Sequence, residues 1–308
     1  MSDHTKDTAI PPPTRAEIKR ELSLLDKLIE ESRCYKKGRD FKELLDFVAR
    51  LPNMAPFNAM LIQLQKPGIA YAASAAEWRR RFQRTPKEGA RPLLILMPFS
   101  PVGLVYDLQD TEGKPVPKDA FSFAARGNIG KQDLDLFRER LIKKNIEVFE
   151  YDAGDQNAGY IRVVSRASTE KEYSAFKMGI NKNSDPPAQF ATIAHELGHL
   201  FLGHLGREWK HGISARPKLS HAMQELEAES VAYIMCMRRG VEPESKQYLT
   251  EFVEEHTSVE HLGVDRIFRA AGHVESILGL DVRTVPPPAP DLLFGRDRIL
   301  NAETDNYC

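Results

Sequence analysis

The chain has 308 residues, with 43 basic and 44 acidic side chains and a formal net charge of −1, so it is not a strongly basic protein overall. This length accommodates one large or two ordinary domains and is ample for a buried core. Hydrophobic residues make up 42% and charged residues 28% of the chain, as in ordinary globular proteins. Since no run of 18 apolar residues occurs, we expect no membrane span and no membrane partner.

The first thirteen residues are polar and end in three prolines, which predicts a flexible leader over 1–13. They contain no apolar signal core. The three cysteines, Cys34, Cys236 and Cys308, are odd in number and widely spaced, which argues against a disulfide framework. We therefore expect a cytoplasmic protein.

Apolar residues at helical spacing predict helices in the first third of the chain, and short apolar runs bounded by proline and glycine predict strands after them. The predicted helices cover 14–50, with a second helix at 41–51, and 58–65. The predicted strands cover 93–97 and 102–108, possible partners in a hairpin.

The second half alternates between the two patterns and then becomes helical. A helix is predicted at 134–144, followed by strands at 146–151, 160–165 and 174–181. The later helices are predicted at 189–205, 221–239, 244–256 and 258–278. The fold class is therefore α+β. We predict an N-terminal domain at 14–125, a second domain at 126–281 and a proline-rich tail at 282–308.

The clearest chemical signal is the motif His195-Glu196-Leu197-Gly198-His199. On a helix, His195 and His199 lie one turn apart on the same face, where two imidazoles can hold one zinc ion. Glu196 can then act on a zinc-bound water as general base. The alternative is a pair of histidines that merely decorate a helix, and a third ligand would exclude it.

A metzincin would place a glycine and a histidine three and six residues after His199, but those positions hold Leu202 and Leu205. A carboxylate on a later helix is the remaining option. The segment 223–232 offers three candidates, which are Glu225, Glu227 and Glu229.

Helical geometry separates these candidates. Glu227 lies on an apolar row with Met223 and Val231, while Glu225 and Glu229 lie about 200° around the helix from it. A carboxylate on a core-facing row is costly unless it is paired or bound to a metal. We therefore predict Glu227 as the third ligand, with Glu225 and Glu229 as solvated or supporting groups.

These motifs resemble the ImmA/IrrE-type zinc metallopeptidases, a branch of the gluzincins, over roughly residues 130–240. The resemblance rests on HELGHLFLGH, which begins at His195, followed by ELEAESVAY, which begins at Glu225. It implies a minimal zincin-like fold with one zinc ion per chain, held by His195, His199 and Glu227, and Glu196 as the catalytic base. It also implies that 174–181 is the edge strand along which a peptide would lie.

The N-terminal half resembles the N-terminal domain of ArdC antirestriction proteins. The residues that carry this resemblance are 58–65, Trp78, the turn at 89–92 and the strand residues 105–108. The resemblance implies binding of single-stranded DNA. Charge is consistent with it, since residues 14–91 contain 17 basic and 10 acidic side chains, whereas residues 220–260 contain three and nine.

Within this half, arginines interleave with aromatic residues in a pattern that suits stacking and phosphate contacts on a single strand. The alternative is a charged helix whose Trp78 and Phe82 pack on the core, and the sequence leaves both open. The candidate nucleic-acid-binding residues are Trp78, Arg79, Arg80, Arg81, Phe82 and Arg84.

The sequence thus predicts a zinc-dependent metallopeptidase that hydrolyses a protein or peptide substrate. The family resemblance implies a specific regulatory substrate, such as a transcriptional repressor. The rival hypothesis is a single-stranded DNA-binding or antirestriction-like protein in which the zincin domain is structural or vestigial. The two hypotheses use different halves of the chain and are compatible.

Overall fold

The structure is a computed structural model that describes residue 27 and residues 38–97, 102–116, 129–154, 158–217, 219–242 and 262–280. Several predicted segments lie outside these residues. They are the leader 1–13, most of 14–37, the helix 244–256, the first residues of 258–278 and the tail 282–308.

Seven α-helices lie within the described residues, and the helix predictions that fall there are confirmed, apart from shifts at their ends. One further helix, α3, forms around Trp78. In chain order the helices are α1 (Gly38–Arg50), α2 (Pro56–Gln65), α3 (Ala75–Phe82), α4 (Lys131–Ile142), α5 (Pro186–Phe201), α6 (His221–Arg239) and α7 (Val264–Leu278).

Eight strands form three small sheets in the same part of the chain. The strands are β1 (Ala72–Ala73), β2 (Arg84–Pro86), β3 (Leu93–Ile95), β4 (Gly103–Asp107), β5 (Thr111–Gly113), β6 (Ile146–Tyr151), β7 (Gly159–Ser165) and β8 (Ala175–Asn181). β1, β4 and β3 form an antiparallel sheet in that order, and β2 pairs with β5. The predicted pairing of the strands at 93–97 and 102–108 is confirmed.

Side chains of α2 cover the outer edge of β3. The Asn58 amide donates to the Leu96 carbonyl at 3.0 Å and accepts from the Leu96 N–H at 2.9 Å. Gln65 forms the same pair of bonds with Leu94, at 2.9 and 2.7 Å. The two amides therefore take the place of a neighbouring strand and satisfy an edge that would otherwise be exposed.

The sheet beside the candidate site has the order β6–β8–β7, with β6 parallel and β7 antiparallel to β8. The expectation that 174–181 is the edge strand is therefore wrong, because β8 pairs on both sides. β6 and β7 are the edge strands, and β7 is the one that lines the cleft. A Cβ on Gly159 would lie 2.5 Å from the Thr192 side chain, so glycine lets β7 pass directly over α5.

Local chemistry fixes both ends of α5. The Asp185 carboxylate accepts from the Ala188 N–H at 2.9 Å, and prolines occupy the first helical positions, where a missing N–H costs nothing. After the helix, Gly203 adopts a φ of +77°, which glycine tolerates at little cost. The chain therefore turns back immediately after the histidine motif.

α5 and α6 pack closely because their contact contains small residues. A Cβ on Gly198 would lie 3.3 Å from the Ala228 backbone and 3.3 Å from Val231 Cβ. Gly198 thus lets the two backbones approach at the level of the histidines. This contact brings the acidic segment of α6 beside the histidine motif of α5.

One continuous apolar core joins residues on both sides of the predicted boundary near residue 125, which itself lies in a part of the chain that is not described. α1 and α2 contribute to it together with α6 and α7. A buried arginine reinforces this junction, since Arg238 pairs with Glu275 at 2.7 Å and donates to the Val48 and Met54 carbonyls at 2.9 and 3.0 Å. The division at residue 125 stays a prediction.

We expect Arg238→Met to lower the free energy of unfolding by about 3–5 kcal/mol, because it leaves the buried Glu275 carboxylate without its charged partner. The control is Arg138→Met, whose partners Asp135 and Glu150 are more exposed and which should cost less than about 1 kcal/mol. Urea unfolding followed by circular dichroism measures both. Equal losses in the two variants would contradict the role of Arg238.

Candidate metal centre

The two histidines of α5 face each other across one helical turn. His195 Nε2 lies 3.1 Å from His199 Nε2, and both rings are largely buried. The predicted helical placement is confirmed. Two imidazole nitrogens thus converge on one point at the wall of a cleft.

A carboxylate from α6 completes this group. The Glu225 oxygens lie 3.3 Å from His195 Nε2 and 3.5 Å from His199 Nε2. Among the described residues, His195, His199 and Glu225 form the cluster whose donor atoms are close enough to hold one ion. A tetrahedral ion with bonds of about 2.0–2.1 Å separates its ligand atoms by about 3.3–3.4 Å, so the observed spacing fits such an ion.

The geometry does not support Glu227 as the third ligand. Its side chain is 0% exposed, and its carboxylate accepts from Arg216 at 2.7 and 3.1 Å and from His204 at 2.9 Å. The Gly263 N–H donates to the same carboxylate at 3.1 Å. The buried Glu227 carboxylate does need a partner, and that partner is Arg216 and not a metal ion.

A different sequence signal could have identified Glu225. Glu225 and Glu229 lie four residues apart, so they share a helical face in the same way as His195 and His199. A metal that reacts with substrate must be reachable from the cleft, which favours the polar face of α6 over its apolar row. Both glutamates line the cleft in the structure.

Glu229 orients the first histidine. Its Oε2 lies 2.7 Å from His195 Nδ1, so that nitrogen donates and Nε2 is directed towards Glu225. Burial lowers the pKa of His195, but the hydrogen bonds to Glu225 and Glu229 outweigh it and raise the pKa to about 10 in the metal-free site. The hydrogen bond with His195 is the largest of the effects that hold the pKa of Glu225 far below its usual range.

Glu196, the predicted base, is buried on the cleft wall beside the histidines. Burial raises its pKa to about 7, against the lowering effect of nearby His195 and of a hydrogen bond from the Ile161 backbone. Ile161 belongs to the edge strand β7. Glu196 thus lies between the histidine pair and the free edge of the sheet.

The cleft has a volume of about 1000 Å³ and lies between β7, α5 and α6. β7 contributes Gly159, Tyr160 and Ile161 to its wall, opposite the α6 carboxylates. This size and shape would admit an extended chain segment, since ligand sites commonly measure about 300–1,000 Å³.

The three other histidines near the motif differ in their surroundings. His204 is buried between His199 and Glu227. His221 is 87% exposed at the start of α6, with Nδ1 3.4 Å from Glu225. His211 packs against the rings of Tyr173 and Phe201, away from the donor group.

The stacking role predicted for Trp78 is wrong, because this residue is 0% exposed. Its indole N–H donates to the Tyr106 carbonyl at 2.8 Å, and its ring packs against Tyr71 and Phe82. The core-packing alternative is therefore the correct interpretation of Trp78 and Phe82.

The arginines around Trp78 divide into two groups. Arg81 donates to Glu77 at 2.7 Å, and Arg84 donates to the Thr111 and Lys114 carbonyls at 2.6 Å, so both hold the fold together. Arg79 and Arg80 are exposed. Binding of single-stranded DNA by this region stays a prediction.

Within the described residues, no helix combines the length and apolar character that a membrane crossing requires.

A histidine motif on one helix that faces carboxylates on the next is typical of metallopeptidase-type domains. Residues 133–264 match the family model of the IrrE N-terminal-like domain, peptidase family M78. This match confirms the resemblance to IrrE-type proteins that the sequence shows over roughly residues 130–240.

Two further comparisons complete this picture. No curated protein sequence matches the chain. Among solved structures, the chain is similar to a Mn(II)-bound antirestriction ArdC protein from the R388 plasmid, with 14% sequence identity and a TM-score of 0.37. The match covers 80% of this chain and 98% of that one. A TM-score of this size does not establish a common fold.

The donor geometry predicts that Glu225→Ala strongly weakens metal binding. Wild-type protein should take up about one ion per chain, and Glu225→Ala should lose most of it, because two imidazoles alone bind weakly. Mass spectrometry of metal content measures this directly. The control is Gln224→Ala, a neighbouring cleft residue that should keep its metal. Full metal content in Glu225→Ala would reject Glu225 as a ligand.

The surroundings of His211 predict a loss of stability in acid. Burial lowers its pKa to about 4; Glu208 raises it, while His273 and Lys144 lower it further. As pH falls below the unfolded value of about 6.5, the unfolded chain binds a proton that the folded state excludes until about pH 4, and stability falls.

His211→Phe retains an aromatic ring but cannot titrate. We therefore expect the stability difference between wild type and His211→Phe to shift in favour of the variant as pH falls from 7 to 4. Thermal unfolding at several pH values measures it. A difference that stays constant over this range would contradict the assignment.

Proposed function

We propose that the protein is a zinc-dependent metallopeptidase that hydrolyses a peptide bond in a protein or peptide substrate. The observation that carries this proposal is the convergence of His195, His199 and Glu225 beside the buried Glu196 in one cleft. The match to the IrrE N-terminal-like domain supports the same reaction class.

Zinc suits the donor group, since two imidazoles and one carboxylate form a common ligand set of catalytic zinc sites. When bound, zinc acts as a Lewis acid on the scissile carbonyl and lowers the pKa of coordinated water towards about 7. His195, His199 and Glu225 would hold it.

Glu196 is the general base in this proposal. Its carboxylate accepts a proton from the attacking water while the oxygen forms a bond to the carbonyl carbon. The same group then donates this proton to the departing nitrogen as the C–N bond breaks. Its burial beside the donor group keeps bulk water away from that proton.

The outer edge of β7, which pairs with no further strand among the described residues, is the proposed substrate-binding edge. An extended peptide can add to such an edge through backbone hydrogen bonds, and the wall formed by Gly159, Tyr160 and Ile161 faces the cleft. Backbone recognition of this type favours a peptide over a small molecule. It also explains why an edge strand lies directly over the histidine helix.

The proposed substrate is a specific regulatory protein, such as a transcriptional repressor. This part of the proposal rests on the resemblance to ImmA/IrrE-type peptidases. A specific partner would explain weak activity towards unrelated peptides. Whole-cell lysate, in which native partners remain folded, is therefore the appropriate substrate mixture.

The test uses Glu196→Gln. This variant should bind about one zinc per chain like wild type, yet cleave at least about 10²-fold more slowly, because only the proton transfer is lost. Wild type and variant are incubated with whole-cell lysate, and new peptide termini are identified by mass spectrometry. A chelator should stop wild-type cleavage, and added zinc should restore it.

Two results would reject the proposal. One is cleavage by Glu196→Gln at the wild-type rate, which would exclude Glu196 as the base. The other is folded wild-type protein that binds no zinc even when zinc is supplied in excess.

A further inference from the structure

A chain of buried contacts leads from His199 away from the cleft. His199 Nδ1 lies 2.9 Å from His204 Nδ1, and His204 Nε2 lies 2.9 Å from Glu227 Oε2. Arg216 donates to both oxygens of Glu227, at 2.7 and 3.1 Å. The His204 side chain is only 2% exposed and that of Arg216 8%.

The proton positions in this series of contacts follow from the state of the Glu227 carboxylate. Glu227 is paired with Arg216 and is therefore a carboxylate, which only accepts hydrogen bonds. His204 must then donate from Nε2. With its proton on Nε2, His204 accepts at Nδ1, so His199 donates from its own Nδ1 and keeps its lone pair on Nε2.

We infer that His204, held by Glu227 and Arg216, is a positioning residue that fixes the His199 ring and its metal-binding tautomer. This inference rests on the proposed metal site. It assigns His204 a role as hydrogen-bond acceptor for His199, and it assigns Glu227 to the support of that ring.

The turn after α5 places His204 against His199. Gly203 has a φ of +77°, which reverses the chain so that the His204 N–H donates to the His199 carbonyl at 3.0 Å. Arg216 is fixed by its own bond to the Leu202 carbonyl at 3.0 Å. Backbone and side-chain contacts therefore hold His204 against His199 from both directions.

The two histidine ligands are oriented by different means. His195 donates directly to the Glu229 carboxylate, whereas the imidazole of His204 lies between His199 and Glu227. Arg216 also offsets the charge of Glu227. The support of His199 thus adds little net negative charge beside the metal, which already faces Glu225.

The test compares zinc affinities by competition with a chromophoric chelator. His204→Phe keeps an aromatic ring but removes the acceptor, and it should weaken zinc binding by about 10–100-fold. His204→Asn places an amide oxygen near the position of Nδ1 and should recover most of the affinity. His211→Phe, at a buried histidine that packs against Tyr173 and Phe201 away from the donor group, is the control and should bind zinc like wild type.

A second readout needs no metal. Nitrogen-15 NMR of metal-free wild-type protein should show His199 protonated at Nδ1, and His204→Phe should lose this preference. Wild-type affinity in folded His204→Phe, or equal losses in His204→Phe and His204→Asn, would overturn the inference, as would a His199 protonated at Nε2 in metal-free wild type. Absence of zinc binding in wild type would instead reject the proposed function.

Discussion

The close packing of α5 against α6 is the constraint on which the site depends. Gly198 carries no side chain, and Ala228 faces it, so two helices that both carry polar groups approach at backbone distance. This approach brings His195 and His199 close to the α6 segment that carries Glu225, Glu227 and Glu229, in a largely buried region. Each charged side chain there needs a partner, because the free-energy cost of burying an unpaired charge exceeds the stabilisation from packing around it. The chemistry of the site follows from how these five side chains are divided.

The three glutamates of α6 have separate tasks because they point in different directions around one helix. Glu225 faces both histidine Nε2 atoms, Glu229 accepts from His195 Nδ1, and Glu227 lies on the opposite side with Arg216. Two of them therefore act on the cleft side and one on the core side. The spacing of two residues between neighbours produces this alternation, since successive members lie about 200° apart. This short acidic segment can thus supply one metal ligand, Glu225, and two supporting carboxylates, Glu229 for His195 and Glu227 for His199.

Much of the fold and the histidine motif could be predicted from the sequence, because they depend on local periodicity and spacing. The errors share one physical cause, which is that the partner of a side chain lies far away in the chain. Glu227 is compensated by Arg216, whose contact depends on the turn after α5. Trp78 is buried by Tyr71 and Tyr106, and no local pattern distinguishes a packed tryptophan from a stacking one. The edge strand was misassigned because strand order is a property of the whole sheet.

The N-terminal helices also hold α6 in place. Tyr233 donates to Asp46 of α1 at 2.5 Å, and burial, together with this carboxylate, raises the pKa of the tyrosine. Arg238, one turn and a half further along α6, binds carbonyls at the end of α1 and beyond it. α6 is therefore fixed from α5 on one face and from α1 on another. A ligand helix held on two faces cannot rotate without breaking buried polar contacts, and small rotations would move Glu225 away from the histidines. The N-terminal part of the chain thus contributes to the geometry of a centre to which it supplies no ligand.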